Sequence, residues 1–227
     1  MTDLIRKIER FADLPEPVLA ELSRRGRIRE ARRGDSLFFE GDDCTHVYFV
    51  ISGTAKVSKT LESGKEFIVD IIGPGEAVGE VALIDQLPYP ASASVHDDGA
   101  FFSLSREDYL YMLGKHPEIA LASIRDLANR MRTMNRRLKD VSGGNVEYRI
   151  AHLLLTLGDR IGKTTGNQMT VEIALSRQEM ADMVGTSIET AIRIMSRWRK
   201  ESLVETADHG FKVLDVERLR KIGEVSL

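Results

Sequence analysis

The sequence predicts an α+β chain: an N-terminal antiparallel β domain, a long helix, and a C-terminal helix-turn-helix carrying a hairpin wing. Three observations predict it. From about Ile28 to Ser105, short β-rich runs are punctuated by Gly34, Gly41, Gly53, Gly64, Gly73 and Gly75, the texture of an antiparallel sandwich or barrel. From Pro117 to about Val141, apolar residues recur by fours and threes, as in a helix with a single seam. From Leu175 to Lys200, LSRQEMADMVGTSIETAIRIMSRWRK, two short helical patterns flank Gly185, as in a helix-turn-helix.

Residues 3–25 carry helical spacing in two pieces, separated where Pro15 and Pro17 break the pattern. Strands are expected at Ser36–Phe39, His46–Ile51, Thr54–Lys59, Phe67–Ile72, Ala91–His96 and Ala100–Leu104, with a hairpin turn at Glu62–Lys65. Gly79–Leu87 has helical spacing inside this β region, and Pro88 ends it. Arg106–Leu113 leads into the long helix, which Pro117 opens. Its row of Ala120, Ile124, Leu127, Met131, Met134, Leu138 and Val141 is narrow. A face packed on its own domain would recruit a third apolar row. The narrow seam therefore predicts pairing with a second copy through Ile124, Leu127, Met131, Met134 and Leu138. Ser142, Gly143 and Gly144 interrupt the helix. Asn145 then caps a helix from Val146 to about Ile161 with Ile150, Leu153, Leu154 and Leu157 inward. Residues 162–168 read as a loop. Leu203–Thr206 and Phe211–Leu214 flank Asp208-His209-Gly210 as a small wing, and Val216–Ile222 closes the chain as a helix. The expected domains are 1–115, 116–142 and 143–227.

Within Leu175–Lys200 the faces can be assigned. The first helix, about Arg177 to Val184, turns Met180, Met183 and Val184 inward. Gly185 supplies the sharp turn, and Thr186 or Ser187 caps the second helix. In that helix, residues 187–200, Ala191, Ile194, Met195 and Trp198 form one apolar stripe. Glu189, Arg193, Arg197 and Lys200 fall opposite. One face is built for burial and the other for an anionic partner. An ordinary helical hairpin with a solvated charged face shares this pattern.

The totals exclude several classes. The net charge of −3 gives no support for nucleic-acid binding, but charge is locally concentrated. Arg193, Arg197, Arg199 and Lys200 stand in 193–200 without an acid, and six basic residues stand against Asp126 in 125–139. Binding needs a local basic surface, not a basic total. A single cysteine, Cys44, excludes an internal disulfide and a cysteine-only cluster. No motif gathers His46, His96 and His116 into a metal or haem site, and metal-dependent β-roll enzymes need closely spaced His and Glu ligands. No apolar run reaches signal-peptide or membrane-span length. No catalytic or metal-ligating residue is therefore assigned, and a cytoplasmic protein without membrane attachment is expected.

The order of elements resembles the CRP/FNR family of bacterial transcription regulators. Gly34, Gly41 and Gly53 resemble the turn glycines of its cyclic-nucleotide-binding β-roll. Gly79-Glu80-Val81-Ala82-Leu83-Ile84-Asp85 looks like its phosphate-binding cassette. Arg177-Gln178-Glu179-Met180-Ala181, then Val184-Gly185-Thr186-Ser187-Ile188-Glu189-Thr190 and Arg193, resemble its DNA-binding signature. The resemblance implies a jelly-roll-like β-roll, a dimerisation helix and a winged helix-turn-helix. It also implies double-stranded DNA, a second copy and RNA polymerase as partners.

It implies site residues too. The effector pocket would be lined by Gly79, Glu80, Val81, Ala82, Tyr89, Ala91, Ser92, Met131, Met134 and Asn135. In the family the cassette glutamate bonds a ribose hydroxyl, and cyclic-nucleotide binders place an arginine right after the cassette proline; without that ligand, Glu80 reads equally as a helix N-cap or structural carboxylate. Here Pro88 is followed by Tyr89. Met134 and Asn135 fall where cyclic-AMP binders carry a hydroxyl pair for adenine. A cyclic phosphate buried without its counter-charge is costly. The expectation is a pocket that has lost cyclic AMP, leaving an unknown small-molecule effector or none; a cyclic-nucleotide-responsive regulator is the alternative. For DNA, Glu189 and Arg193 resemble the family's E-x-x-x-R reading of a G·C pair. Ile188 replaces the family's common arginine, and Ile188 and Ile192 either pack on thymine methyls or close the core edge. Ser176, Arg177, Thr186, Arg197 and Lys200 are expected on phosphates.

Overall fold

The computed structural model describes residues 1–60, 66–143, 145–173, 175–207 and 210–223, with side chains given outside 133–143. The expected turn at Glu62–Lys65 lies outside the described residues, as do Asp208 and His209 of the wing. The chain divides into two compact units, Met1–Arg130 and Met131–Leu227.

The first unit is a two-sheet antiparallel roll with helices at both ends of its sequence. It begins with α1 (Thr2–Ile5), a 3-10 turn at Glu9–Phe11, and α2 (Glu16–Arg25). The strands are β1 (Arg27–Ala31), β2 (Ser36–Phe38), β3 (His46–Val50), β4 (Thr54–Thr60), β5 (Glu66–Ile72), β6 (Ala77–Val78), β7 (Ser92–Asp97) and β8 (Gly99–Ser105). One sheet runs β1-β8-β3-β6 and the other β2-β7-β4-β5. The expected strands are present, and β1 and β6 are additional. Both escape a pattern search for physical reasons: β1 is mostly solvent-facing, and β6 has only two residues. The inner faces meet in a core that includes Val47, Phe49, Phe102 and Leu104.

The N-terminal segment belongs to this core. Ile5, Ile8, Phe11, Leu19 and Leu22 are fully buried in the same cluster. The Phe11 and Phe49 rings lie 5.0 Å apart between centroids. Burying a phenylalanine side chain stabilises by about 1.5–3 kcal/mol, so residues before the first strand are fixed to the roll.

After β8 come α4 (Arg106–Lys115) and α5 (Pro117–Gly143). The helix runs through Ser142 and Gly143, two residues past the end expected from the sequence; Gly144 lies outside the described residues. Glu21 of α2 accepts from Lys115 Nζ at 3.0 Å and lies 3.2 Å from His116 Nε2. These hydrogen bonds, Lys115 first, hold its carboxyl at about 2, below the usual 4.5. A depressed carboxylate pKa stabilises the fold above the unfolded-state pKa, and that contribution disappears as pH falls through the folded value. Glu21→Gln is therefore expected to lower the melting temperature by a few degrees at pH 6. The gap to wild type should close progressively below about pH 4.5 and vanish near pH 2. Melting curves across that range check it; a gap that persists at pH 2 would contradict the assignment.

The second unit contains α6 (Val146–Ile161), β9 (Lys163–Thr165), β10 (Gln168–Glu172), α7 (Arg177–Val184), α8 (Ile188–Lys200), β11 (Val204–Ala207), β12 (Gly210–Val213) and α9 (Val216–Gly223). Its sheet runs β11-β12-β10-β9. Residues 162–168, expected as a loop, hold β9 and the start of β10. The turn passes through Gly166 at φ +59°. Because β9 is exposed throughout, no inward residue marks it in the sequence. Asn145 caps α6 by accepting from Tyr148 N, and Ile150, Leu153, Leu154 and Leu157 point inward as expected.

Candidate DNA interface and effector cassette

The helix-turn-helix is built from local capping. Ser176 Oγ accepts from Glu179 N, and the Glu179 carboxylate accepts in return from Ser176 N. This capping box fixes where α7 begins. Gly185 closes it in the left-handed region, φ 64° and ψ 54°, where a side chain would be strained. Ser187 Oγ accepts from Thr190 N and caps α8, which settles the Thr186-or-Ser187 alternative. α7 buries Met180, Ala181 and Val184; Met183, expected inward, is only half-buried.

The expected faces of α8 are present. Ala191, Ile194, Met195 and Trp198 are buried. Trp198 Nε1 donates to Glu147 Oε1 at 2.9 Å, which ties α8 to the first turn of α6. Glu189, Ile192, Arg193, Arg197, Arg199 and Lys200 are exposed, and Ile188 and Thr190 are half-buried. Ile192 is 45% exposed, so it does not close the core edge. The Glu189 carboxyl is held below its usual range by its own backbone N–H and by the Ser187 hydroxyl.

Expected phosphate contacts occupy several settings. The Arg177 guanidinium donates to the Thr206 hydroxyl on β11. Burial and the nearby charge of Arg199 both weaken its hold on its proton. Two such cations across α7, α8 and the wing favour an anion between them. Arg197 is already paired with Glu147 at 2.5 Å. Ser176 spends its hydroxyl on the capping box, and Thr186 is half-buried beside Gly185. An open cleft lined by Asn145, Val146, Glu147, Thr190, Arg193, Ile194 and Arg197 sets the first amides of α6 beside the two arginines, a combination suited to a phosphate.

The cassette lies in the first unit. Gly79, at φ +84°, is the N-cap of α3 (Glu80–Asp85). A Cβ there would also come within 2.9 Å of the Tyr89 ring. Glu80 is the first residue of α3, and its carboxylate is buried in a network that the sequence did not announce. Arg10 Nη1 donates to Glu80 Oε1 at 2.6 Å and Nη2 donates to Oε2 at 3.2 Å. The two side chains are 1% and 3% exposed. Arg10 Nη2 also pairs with Asp126 of α5. Its guanidinium carbon lies 5.2 Å from the Phe49 ring centroid, within cation–π reach. The Tyr109 hydroxyl donates to Glu80 and lies 2.8 Å from Ser123 Oγ. Burial alone would raise the Glu80 pKa; the charge and hydrogen bonds of Arg10, with those of Tyr109 and Ser123, outweigh it and hold the group ionised.

Tyr89 and Ser92, also expected at the pocket, have partners of their own. The Tyr89 ring stacks on Phe38 at 3.6 Å between centroids, and its hydroxyl donates to His46 O at 2.6 Å. Burial, with Cys44 nearby, raises its pKa. Ser92 Oγ accepts from Glu40 N at 2.9 Å. Ala82 and Ala91 are buried, and Val81 is exposed. Met134 and Asn135 have side chains outside the described residues. Glu80, expected either to face an effector or to serve as a structural carboxylate, is paired with Arg10. Arg10, Tyr109, Ser123 and Asp126 were missed. Their only sequence trace is an arginine set between Ile8 and Phe11.

A cassette-bearing β-roll followed by a winged helix-turn-helix defines a class of transcription regulator. Residues 28–116 match the cyclic nucleotide-binding domain family, and residues 148–222 match the Crp-like helix-turn-helix domain family. A Cyclic AMP receptor protein of Thermus thermophilus is 30% identical over 84% of this chain and 85% of its own. A CRP-like cAMP-activated global transcriptional regulator of Mycobacterium tuberculosis is 27% identical over 97% and 99%. The solved structure of FixK2 from Bradyrhizobium japonicum shares the fold, with a TM-score of 0.77, 19% identity, and coverage of 89% of this chain and 99% of that one. The chain belongs to the CRP/FNR family of transcription regulators, and its second unit carries the family's DNA-binding helix-turn-helix. Among the described residues no helix is long and apolar enough to cross a membrane.

Proposed function

We propose that this regulator binds an inverted-repeat operator as a homodimer and reads each half-site with Glu189, Ile192 and Arg193. The observation that carries the reading is the division of α8. Its apolar stripe is fully used inside the unit, while Glu189, Arg193 and an isoleucine, Ile192, stand exposed. Arginine forks guanine O6 and N7, and glutamate accepts from cytosine N4. Ile124 and Met131 of the seam are 60% and 61% exposed and Leu127 is half-buried, which suits cover by a second copy. Two-fold pairing would set recognition helices about 34 Å apart, in successive major grooves. Acting on DNA, the protein works in the cytoplasm with RNA polymerase as its downstream partner. Selection of bound sequences from random duplex DNA tests the reading. An inverted repeat with a G·C pair in each half is expected; enrichment of no motif would overturn it.

An exposed isoleucine beside two polar readers suits a thymine methyl. One methyl's burial is worth about 0.8 kcal/mol, or roughly fourfold in affinity. Replacing one operator thymine by uracil, at the position facing Ile192, is expected to weaken wild-type binding about fourfold. It should leave Ile192→Ala unaffected. Uracil tolerated at every thymine would exclude this contact.

The first unit does not act as a cyclic-AMP receptor through Glu80, although the Thermus and Mycobacterium relatives are named for cyclic AMP. Glu80 already bonds Arg10 and Tyr109, and Tyr89 stands where the family's phosphate-binding arginine would be. Calorimetric titration is expected to show no binding at micromolar cyclic AMP. A micromolar or tighter dissociation constant would overturn this.

A further inference from the structure

We propose that Arg10 is a positioning residue for self-association: the chain's own guanidinium ties the cassette acid to α5 and thereby sets the face that α5 turns outward. The proposal rests on the homodimer reading above. Along α5, Ile119, Ser123, Asp126 and Arg130 recur at spacings of four, three and four, one face of a helix. Ile119 and Ser123 are buried. Asp126 pairs with Arg10, and Arg130 Nη2 donates to Ala77 O on β6 at 2.6 Å. This face therefore grips the start of the cassette twice: through β6 just before it, and, by way of Arg10, through Glu80 at the first residue of α3.

Leu121 and Ile124 lie off this row and are exposed. Successive helical residues are about 100° apart. Turning α5 by one residue would take Asp126 off Arg10 and swing Ile124 away from its outward position. The grip on one face and the seam on the other are thus fixed by a single rotation. Arg10 itself cannot drift, because its neighbours Ile8 and Phe11 are fully buried. A buried carboxylate at the head of the cassette demands a cation. Here residue 10 supplies it, and the same guanidinium reaches α5. Coupling of cassette to helix is then built into the covalent chain.

The test uses the full chain and reads the dimer dissociation constant by sedimentation, at a temperature where circular dichroism shows each variant folded. Asp126→Asn removes the charge pairing to α5 while leaving Arg10 on Glu80 and within 3.4 Å of Ser123 Oγ. The double change Arg10→Met with Glu80→Met removes both buried charges, so neither is orphaned. Each is expected to weaken dimerisation at least tenfold and to lower operator affinity with it. Wild type should dimerise equally well with and without 1 mM cyclic AMP. Dimerisation unchanged or tightened in Asp126→Asn would overturn the proposal, whatever the double variant does. A wild type that stays monomeric at micromolar concentration and still binds its operator would instead overturn the homodimer reading beneath it.

Discussion

Arg10→Met is expected to unfold the first unit roughly 10–15 °C below wild type at pH 7. Removing one partner of a buried ion pair costs about 3–5 kcal/mol, because the remaining charge is left without compensation. The 1% and 3% exposures of Arg10 and Glu80 place the pair in that class. Without Arg10, burial of Glu80 would be opposed only by the hydrogen bonds of Tyr109 and Ser123, and is expected to raise its pKa above the unfolded value. The folded variant would then bind a proton that the unfolded chain does not. Its stability should therefore rise as pH falls from 7 toward 5, so the gap to wild type should narrow on acidification. Glu80→Gln should cost less, since Arg10 keeps Asp126. Trp198 is the only tryptophan and belongs to the second unit. Its fluorescence transition should move less than the far-ultraviolet one. A loss under about 3 °C at pH 7 would mean that solvent reaches the pair more than its exposure suggests.

This network explains which parts of the molecule were legible in the sequence. The stripe of α8 and the turn at Gly185 are set by residues close along the chain, and a local reading of the sequence captures them. The cassette was legible as a motif, and Tyr89 after Pro88 was legible as a departure from it. What the departure led to was not. Arg10 and Glu80 are 70 positions apart, and nothing local in Glu9-Arg10-Phe11 marks an arginine that will be buried. Folding brings them together as the N-terminal segment docks on the roll, with Phe11 against Phe49. The pairing is a product of tertiary packing, like the inward turn of Tyr89 onto Phe38. Ile192 stood between two faces on the helical wheel, and the packing of α8 on its unit decided for the outside.

Arg193→Ala is expected to weaken binding to the selected operator by roughly 30-fold to 10⁴-fold. A bidentate arginine–guanine contact is worth about 1–3 kcal/mol, and a two-fold dimer loses it twice, about 2–6 kcal/mol in all. The loss should be concentrated at one base pair in each half-site. There the variant should accept other pairs with little further cost, while the remaining positions keep their preferences. Arg193→Lys should not restore discrimination, because an ammonium lacks the planar fork. Arg197→Ala offers the contrast. Its guanidinium is paired with Glu147, so removing it loosens α8 from α6 and deletes a charge near the backbone. Its effect should fall almost equally on specific and random DNA and be larger at low salt. Competition assays against random duplex at two salt concentrations separate these cases. If Arg193→Ala lost affinity equally on both DNAs, its exposed position beside Glu189 would reflect phosphate attraction, and base reading would have to be sought elsewhere on α8.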